Sequence, residues 1–100
     1  MNAPVILITG AGRRVGAEIA RTLHAAGSRV AIHYRSSAHD AKALAAELNA
    51  VCADSAAAFK ADLLDVAALP LLVAAVVTRF GRLDGLINNA SSFFPTKVGA

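Results

Sequence analysis

The apolar positions change period repeatedly along the chain. VILIT, Val5 to Thr9, is a continuous β-branched run, the pattern of a strand buried on both faces of a parallel sheet. From Val15 the spacing becomes helical, with Val15, Ile19 and Leu23 one turn apart and Glu18 and Arg21 between them. Gly27 is placed to end that helix in a left-handed conformation. RVAIHY, Arg29 to Tyr34, is the second strand. SAHDAKALAAELNA, 37–50, puts Leu44 and Leu48 on one helical face, with a serine near its start suited to capping. AAAFKAD, 56–62, is a third strand candidate, although alanine is a poor strand former.

Asp65 to Phe80 keeps a helical period through Val66, Leu69, Leu72, Val73, Val76, Val77 and Phe80. Pro70 has no N–H to donate, so the regular helix is expected to begin there. Gly81 ends it, and LDGLINNA, 83–90, supplies a fourth strand and the turn after it. The order β-α-β-α-β-α-β at this spacing predicts right-handed parallel crossovers, hence an α/β doubly wound parallel sheet of the Rossmann type. The usual strand order makes the fourth strand an apolar edge and leaves one helix to cover the second face. Residues 1–100 are therefore expected to be the N-terminal part of one larger domain.

Composition narrows the picture. The chain is 56% hydrophobic and 17% charged, which excludes a disordered tail. The uncharged stretch from Val66 to Thr78 is interrupted by Pro70 and is shorter than the roughly 20 residues of a membrane span. The apolar run near the N-terminus is followed, not preceded, by positive charges and is too short for a secretory signal. One cysteine, Cys52, cannot form an internal disulfide, which points to a reducing cytoplasm. The net charge of +3 comes without a basic run or interleaved aromatics, so a nucleic-acid partner is not expected. Arg13, Arg14 and Arg35 instead follow predicted strands, where they suit a small anionic ligand.

The chemistry lies at those strand ends. TGAGRRVG, Thr9 to Gly16, stands between a strand and a helix, the context in which a glycine motif binds a dinucleotide. Gly10 permits a tight turn, Gly12 a close backbone approach, and Gly16 close packing of helix on strand. The helix N-terminus offers N–H groups to a pyrophosphate. An NAD-selective site would place a carboxylate at the end of the second strand. Here HYRSS puts Arg35, Ser36 and Ser37, a set suited to a 2′-phosphate, so the expected cofactor is NADP(H). No metal site is expected.

TGAGRRVG, HYRSS, ADLLD and GRLDGLINNASSFFPT together resemble the N-terminal portion of a short-chain dehydrogenase/reductase over essentially the whole chain. The general pattern of that family is TGxxxGxG with a later NNAG. This chain has Arg14 for the middle glycine and Ser91 after NNA, as in the pteridine reductase branch, whose motifs read TGxxxRxG and NNASSFxPT. The resemblance implies NADPH-dependent reduction of a pterin, with dihydrofolate as a further substrate, by hydride transfer. It implies that Gly10, Arg13, Arg14 and Val15 line the diphosphate and nicotinamide, and that His33, Tyr34, Arg35, Ser36 and Ser37 surround the adenosine ribose and its phosphate. Asp62 and Leu63 would contact adenine, and Asn89, Ala90 and Ser91 would run beside the ribose and phosphates. Phe93 would stack on the pterin, with Arg14 and Ser91 reaching cofactor and substrate alike. A flat, electron-poor ring held between an aromatic face and a nicotinamide makes that arrangement chemically sensible. Phe94 is read as a core residue.

The family's tyrosine and lysine, four residues apart, have no match: Tyr34 is the only tyrosine, and Ala38 stands four positions after it. No catalytic residue is therefore assigned within 1–100. Relatives of this branch are commonly homo-oligomers, tetramers through later helices. Two alternatives stand beside pteridine reduction: a short-chain reductase of another carbonyl, such as a 3-ketoacyl group, and a non-catalytic nucleotide-binding module.

Overall fold

A computed structural model of the chain describes residues 3–11 and 14–89. Its elements are β1 (Val5–Thr9), α1 (Arg14–Ala25), β2 (Arg29–Tyr34), α2 (Ala38–Val51), β3 (Ala56–Lys60), α3 (Ala68–Phe80) and β4 (Gly85–Asn88). The four strands are parallel in the order β3-β2-β1-β4, the doubly wound arrangement expected of the alternating pattern.

Strand alternation sorts side chains onto two faces. Register places Ile8 beside Ile32 and Ile87, and Leu7 beside Ala31 and Leu86. Ile8, Val30, Ile32 and Tyr34 pack with Ala17 and Ala20 of α1 and Ala41, Leu44, Ala45 and Leu48 of α2. On the opposite face, among the described residues, Val5, Leu7 and Ala31 pack with Leu72, Val76 and Phe80 of α3 as its one helix. Small residues along α1 and α2 let both helices lie close on the sheet, which explains the alanine-rich composition.

Helix ends follow local chemistry, with two departures from the sequence reading. Gly27 closes α1 at φ 104° and Gly81 closes α3 at φ 86°, both left-handed as expected. Ser37 precedes α2 but its hydroxyl makes no capping bond; its backbone carbonyl accepts from Ala41 instead. α3 begins at Ala68, after a turn closed by Ala68 N–H to Asp65 O. Pro70 thus sits within the first helical turn, where its missing N–H has no intrahelical acceptor to lose. Val66 falls outside the helix and is 90% exposed, and Leu69 and Val77 also remain exposed.

The amino ends of the strands are tied together away from the strand ends that carry the motifs. Asp84 accepts the N–H of Val5 at 2.8 Å, and Arg82 meets both of its oxygens at 2.8 Å. The Arg82 guanidinium, with the Val5 N–H second, holds the Asp84 carboxyl below its ordinary range. Buried Ser55 donates its hydroxyl to the Cys52 carbonyl and lies 2.6 Å from His24 Nε2, pinning the end of α1 to the start of β3. No helix among the described residues is long and apolar enough to cross a membrane.

Candidate cofactor site

The sequence motifs converge at the carboxyl ends of β1, β2 and β4. β1 is flanked by β2 on one side and β4 on the other, so the crevice above it is the switch point where ligands of open α/β sheets bind. Gly10 turns the chain off β1 at φ 63°, a conformation other residues adopt only at a cost. Gly16 carries α1 past that turn. A Cβ there would overlap the Gly10 carbonyl oxygen and lie 2.7 Å from Asn89 Nδ2 and 2.8 Å from Ala11 Cα. The close packing anticipated for Gly16 is present, and it involves β4 as well as β1.

A web of polar bonds fixes the crevice floor. Thr9 Oγ1 donates to Asn88 Oδ1 at 3.0 Å and accepts the Asn89 N–H at 2.9 Å. Asn89 Nδ2 donates to the Gly10 carbonyl at 3.2 Å. Thr9 was not among the site residues expected from sequence, although the TG dipeptide that opens the motif marks it.

His33 is the other unanticipated arrangement. Its side chain does not reach outward: the residue is 2% exposed. Nδ1 accepts the Gly10 N–H at 3.0 Å, and Nε2 donates to the Ala61 carbonyl at 2.8 Å. Its own carbonyl takes the Ala11 N–H at 3.0 Å. The N–H groups of Gly10 and Ala11 are thus committed to His33, so Gly10 shapes the turn, and an anion in the crevice would have to be met by the start of α1. Burial pushes the His33 imidazole below its ordinary value, opposed in part by the Ala61 carbonyl. Tyr34 is also buried, packed in the α1–α2 core.

Arg35 and Ser36 emerge exposed from β2, with Ser37 half-buried behind them. The Arg35 Nε lies 3.5 Å from Asp62 Oδ1, which also accepts the Leu64 N–H at 3.1 Å. An exposed pair of this kind is worth about 0–1 kcal/mol, so a phosphate dianion can replace the carboxylate as partner. Leu63 packs on the α3 core, leaving Asp62 as the outward residue of that turn. Arg14 and Val15 are exposed at the start of α1. Arg14 has φ 54°, left-handed and unusual for a residue with a side chain.

The structure therefore brings together Gly10, Arg14, Val15, Arg35, Ser36, Ser37, Asp62 and Asn89 around one crevice. Arg13, Ala90, Ser91 and Phe93 lie outside the described residues. A separate groove of about 990 Å³ starts at Arg14 and Val15 but runs down α1 to Leu23, away from the strand ends. Among the described residues no three His, Cys, Asp or Glu side chains are grouped to hold a metal ion. A helix N-terminus, a left-handed glycine turn, a helix glycine without room for a Cβ and an outward arginine fit a phosphorylated dinucleotide.

Comparison with known proteins agrees with that geometry. Residues 4–99 match the model of the short chain dehydrogenase family. Pteridine reductase 1 of Leishmania tarentolae is 46% identical over 97% of this chain and 39% of its own length. A hydroxynaphthalene reductase of Aspergillus fumigatus is 39% identical over 90% of this chain and 33% of its own. A 3-oxoacyl-[acyl-carrier-protein] reductase of Staphylococcus aureus is 39% identical over 84% of this chain and 34% of its own. The chain thus spans a third to two fifths of the length of these relatives. With the family model matched almost end to end and the glycine turn, switch point and strand order in place, the chain belongs to the short chain dehydrogenase family.

Proposed function

We propose that this chain is the cofactor-binding part of a longer NADPH-dependent reductase that acts on a pteridine. The observation that carries the reading is Arg14: it holds φ 54° at the place where the family pattern has a glycine. The backbone keeps the shape a glycine would give, at a cost of about 1 kcal/mol for carrying a side chain there. A bulky cation retained under strain at the mouth of a cofactor crevice argues for a contact it makes. The 46% identity with pteridine reductase 1 supports a pterin as the partner of that contact.

In this reading the first turn of α1 and Arg14 take the diphosphate, and Arg35, Ser36 and Ser37 take the 2′-phosphate. Asp62 and Leu63 border the adenine, while Asn89, Ala90 and Ser91 follow the ribose and phosphates. Bound NADPH supplies the reducing equivalent. Arg13 and Phe93 complete the nicotinamide and pterin walls. Proton delivery falls to residues beyond this chain, since Tyr34 is enclosed in the core and has no lysine four positions on. A cytoplasmic homotetramer belongs to the same proposal.

The 39% identity with a 3-oxoacyl reductase supports a second reading, reduction of a thioester-linked ketone. Assay of the full-length protein with NADPH against dihydrobiopterin, dihydrofolate and a 3-ketoacyl thioester separates the two. Turnover of the pterin with a kcat/KM at least tenfold above the ketone is expected. The reverse order replaces the pteridine reading with the ketone one, and equal rates with NADH and NADPH remove the role given to Arg35.

A further inference from the structure

His33 joins two segments that β2 alone would leave apart. On one side is the Gly10–Ala11 turn, on the other the segment that leads from Ala61 to Asp62. Both bonds of its ring are directional and together they fix its chemical form. A carbonyl oxygen only accepts, so the Nε2 facing Ala61 carries the hydrogen; a backbone N–H only donates, so the Nδ1 facing Gly10 is bare. The ring is thus a neutral Nε2–H imidazole. The backbone reinforces the same junction, with Ala11 N–H bonded to His33 O and Ala61 N–H to Tyr34 O.

We propose that His33 is a positioning residue that clamps the two walls of the cofactor crevice, and that a second proton on its ring releases the glycine turn and weakens nucleotide binding. The inference rests on the cofactor reading above. A proton on Nδ1 would set two donors against each other across 3.0 Å and strip Gly10 of its acceptor inside a buried site. The Gly10 turn would have to move, and with it the approach to Arg14 and the start of α1.

The charged and titratable groups around the ring do not alter this. β2 and its end contribute Tyr34 and Arg35, β3 and the turn after it Lys60 and Asp62, and the start of α1 contributes Arg14. Among the described residues the ring is bonded to none of them, its two nitrogens being taken by Gly10 and Ala61. Burial favours the neutral form, so the switch lies on the acid side of 6.5.

The test uses the full-length protein and NADH, because the 2′-phosphate of NADPH itself titrates near pH 6. Ring ¹⁵N shifts of His33 should show the Nε2–H tautomer at neutral pH, and NADH affinity should fall about tenfold as the ring protonates. His33→Asn offers Oδ1 to Gly10 and cannot titrate; whatever its affinity at pH 8, its NADH binding should lose the acid limb that the parent shows. Superimposable pH profiles for parent and variant, or an Nδ1–H tautomer, overturn the inference while leaving the cofactor site standing. Should the variant not fold, the parent alone decides: midpoints for ring protonation and affinity loss that differ by more than about one pH unit overturn it. Absence of NADH and NADPH binding at every pH removes the cofactor reading itself, and this inference with it.

Discussion

On the proposed reading, Arg14 and Arg35 divide the candidate site into two tasks that single substitutions can separate. Replacing Arg14 with glycine relieves a left-handed strain of about 1 kcal/mol while adding comparable freedom to the unfolded chain. Stability in urea should therefore change by less than about 1 kcal/mol, while pterin kcat/KM falls more than NADPH affinity does. Arg35→Ala removes a charge-assisted fork, and NADPH affinity should drop roughly 10- to 100-fold with NADH affinity unchanged. Equal losses for both nucleotides in a titration would mean that Arg35 supports the fold and not the 2′-phosphate. Sequence pattern exposed both arginines, because each stands where the motif calls for another residue type. It did not expose what His33 does, since a histidine inside HYRSS carries no mark of which way its ring points. Nor did it mark Ser55 and His24, which meet across 31 positions of chain.

At the scale of elements, periodicity located each strand and helix of the described residues and erred where two rules competed. The apolar period extends back to Val66, but Asp62 and Asp65 accept the N–H groups of Leu64 and Ala67 and hold that segment in turns. Helix α3 therefore starts at Ala68, and Val66 is left in solvent. Ser37 has the right chemistry for a cap and the right position, yet its backbone (φ −89°, ψ 54°) does not aim the hydroxyl at the helix. Because α3 alone covers its face of the sheet among the described residues, its buried line is sensitive. Leu72→Ala should cost about 2–5 kcal/mol, whereas Leu71→Ala, one residue away and 70% exposed, should stay within about 0.5 kcal/mol. Paired urea melts of the intact protein check this; similar losses at both positions would mean that α3 packs with another face inward.

Over the whole molecule the two sheet faces are unequally dressed. Among the described residues α1 and α2 cover one face; on the other, Val77 of α3 and Leu86 of β4 remain 41% and 49% exposed, and β4 ends the sheet with an unpaired edge. This supports the proposal that residues 1–100 belong to a larger domain. Expressed alone, they should aggregate or bind NADPH at least about tenfold more weakly than the intact protein. A soluble monomer with one cooperative unfolding transition and undiminished affinity would refute that. The same junction of β1, α1 and β4 predicts that Gly16→Ala forces the helix off the Gly10 carbonyl and costs about 1–3 kcal/mol by overpacking, measurable by thermal denaturation.

The bond from Asn89 to Gly10 also sets an order of events. It spans 79 positions, and the entropy of closing so long a loop must be met before any contact across it rewards the chain. The Gly10 turn can be sketched by its neighbours in β1 and β2, but its carbonyl stays unclasped until β4 has paired. A chain that has emerged only as far as α3 would lack the Asn89 clasp on the Gly10 carbonyl. On the proposed reading, a nucleotide that binds only the clasped form would favour the docking of β4 and so act as a late folding partner of the chain.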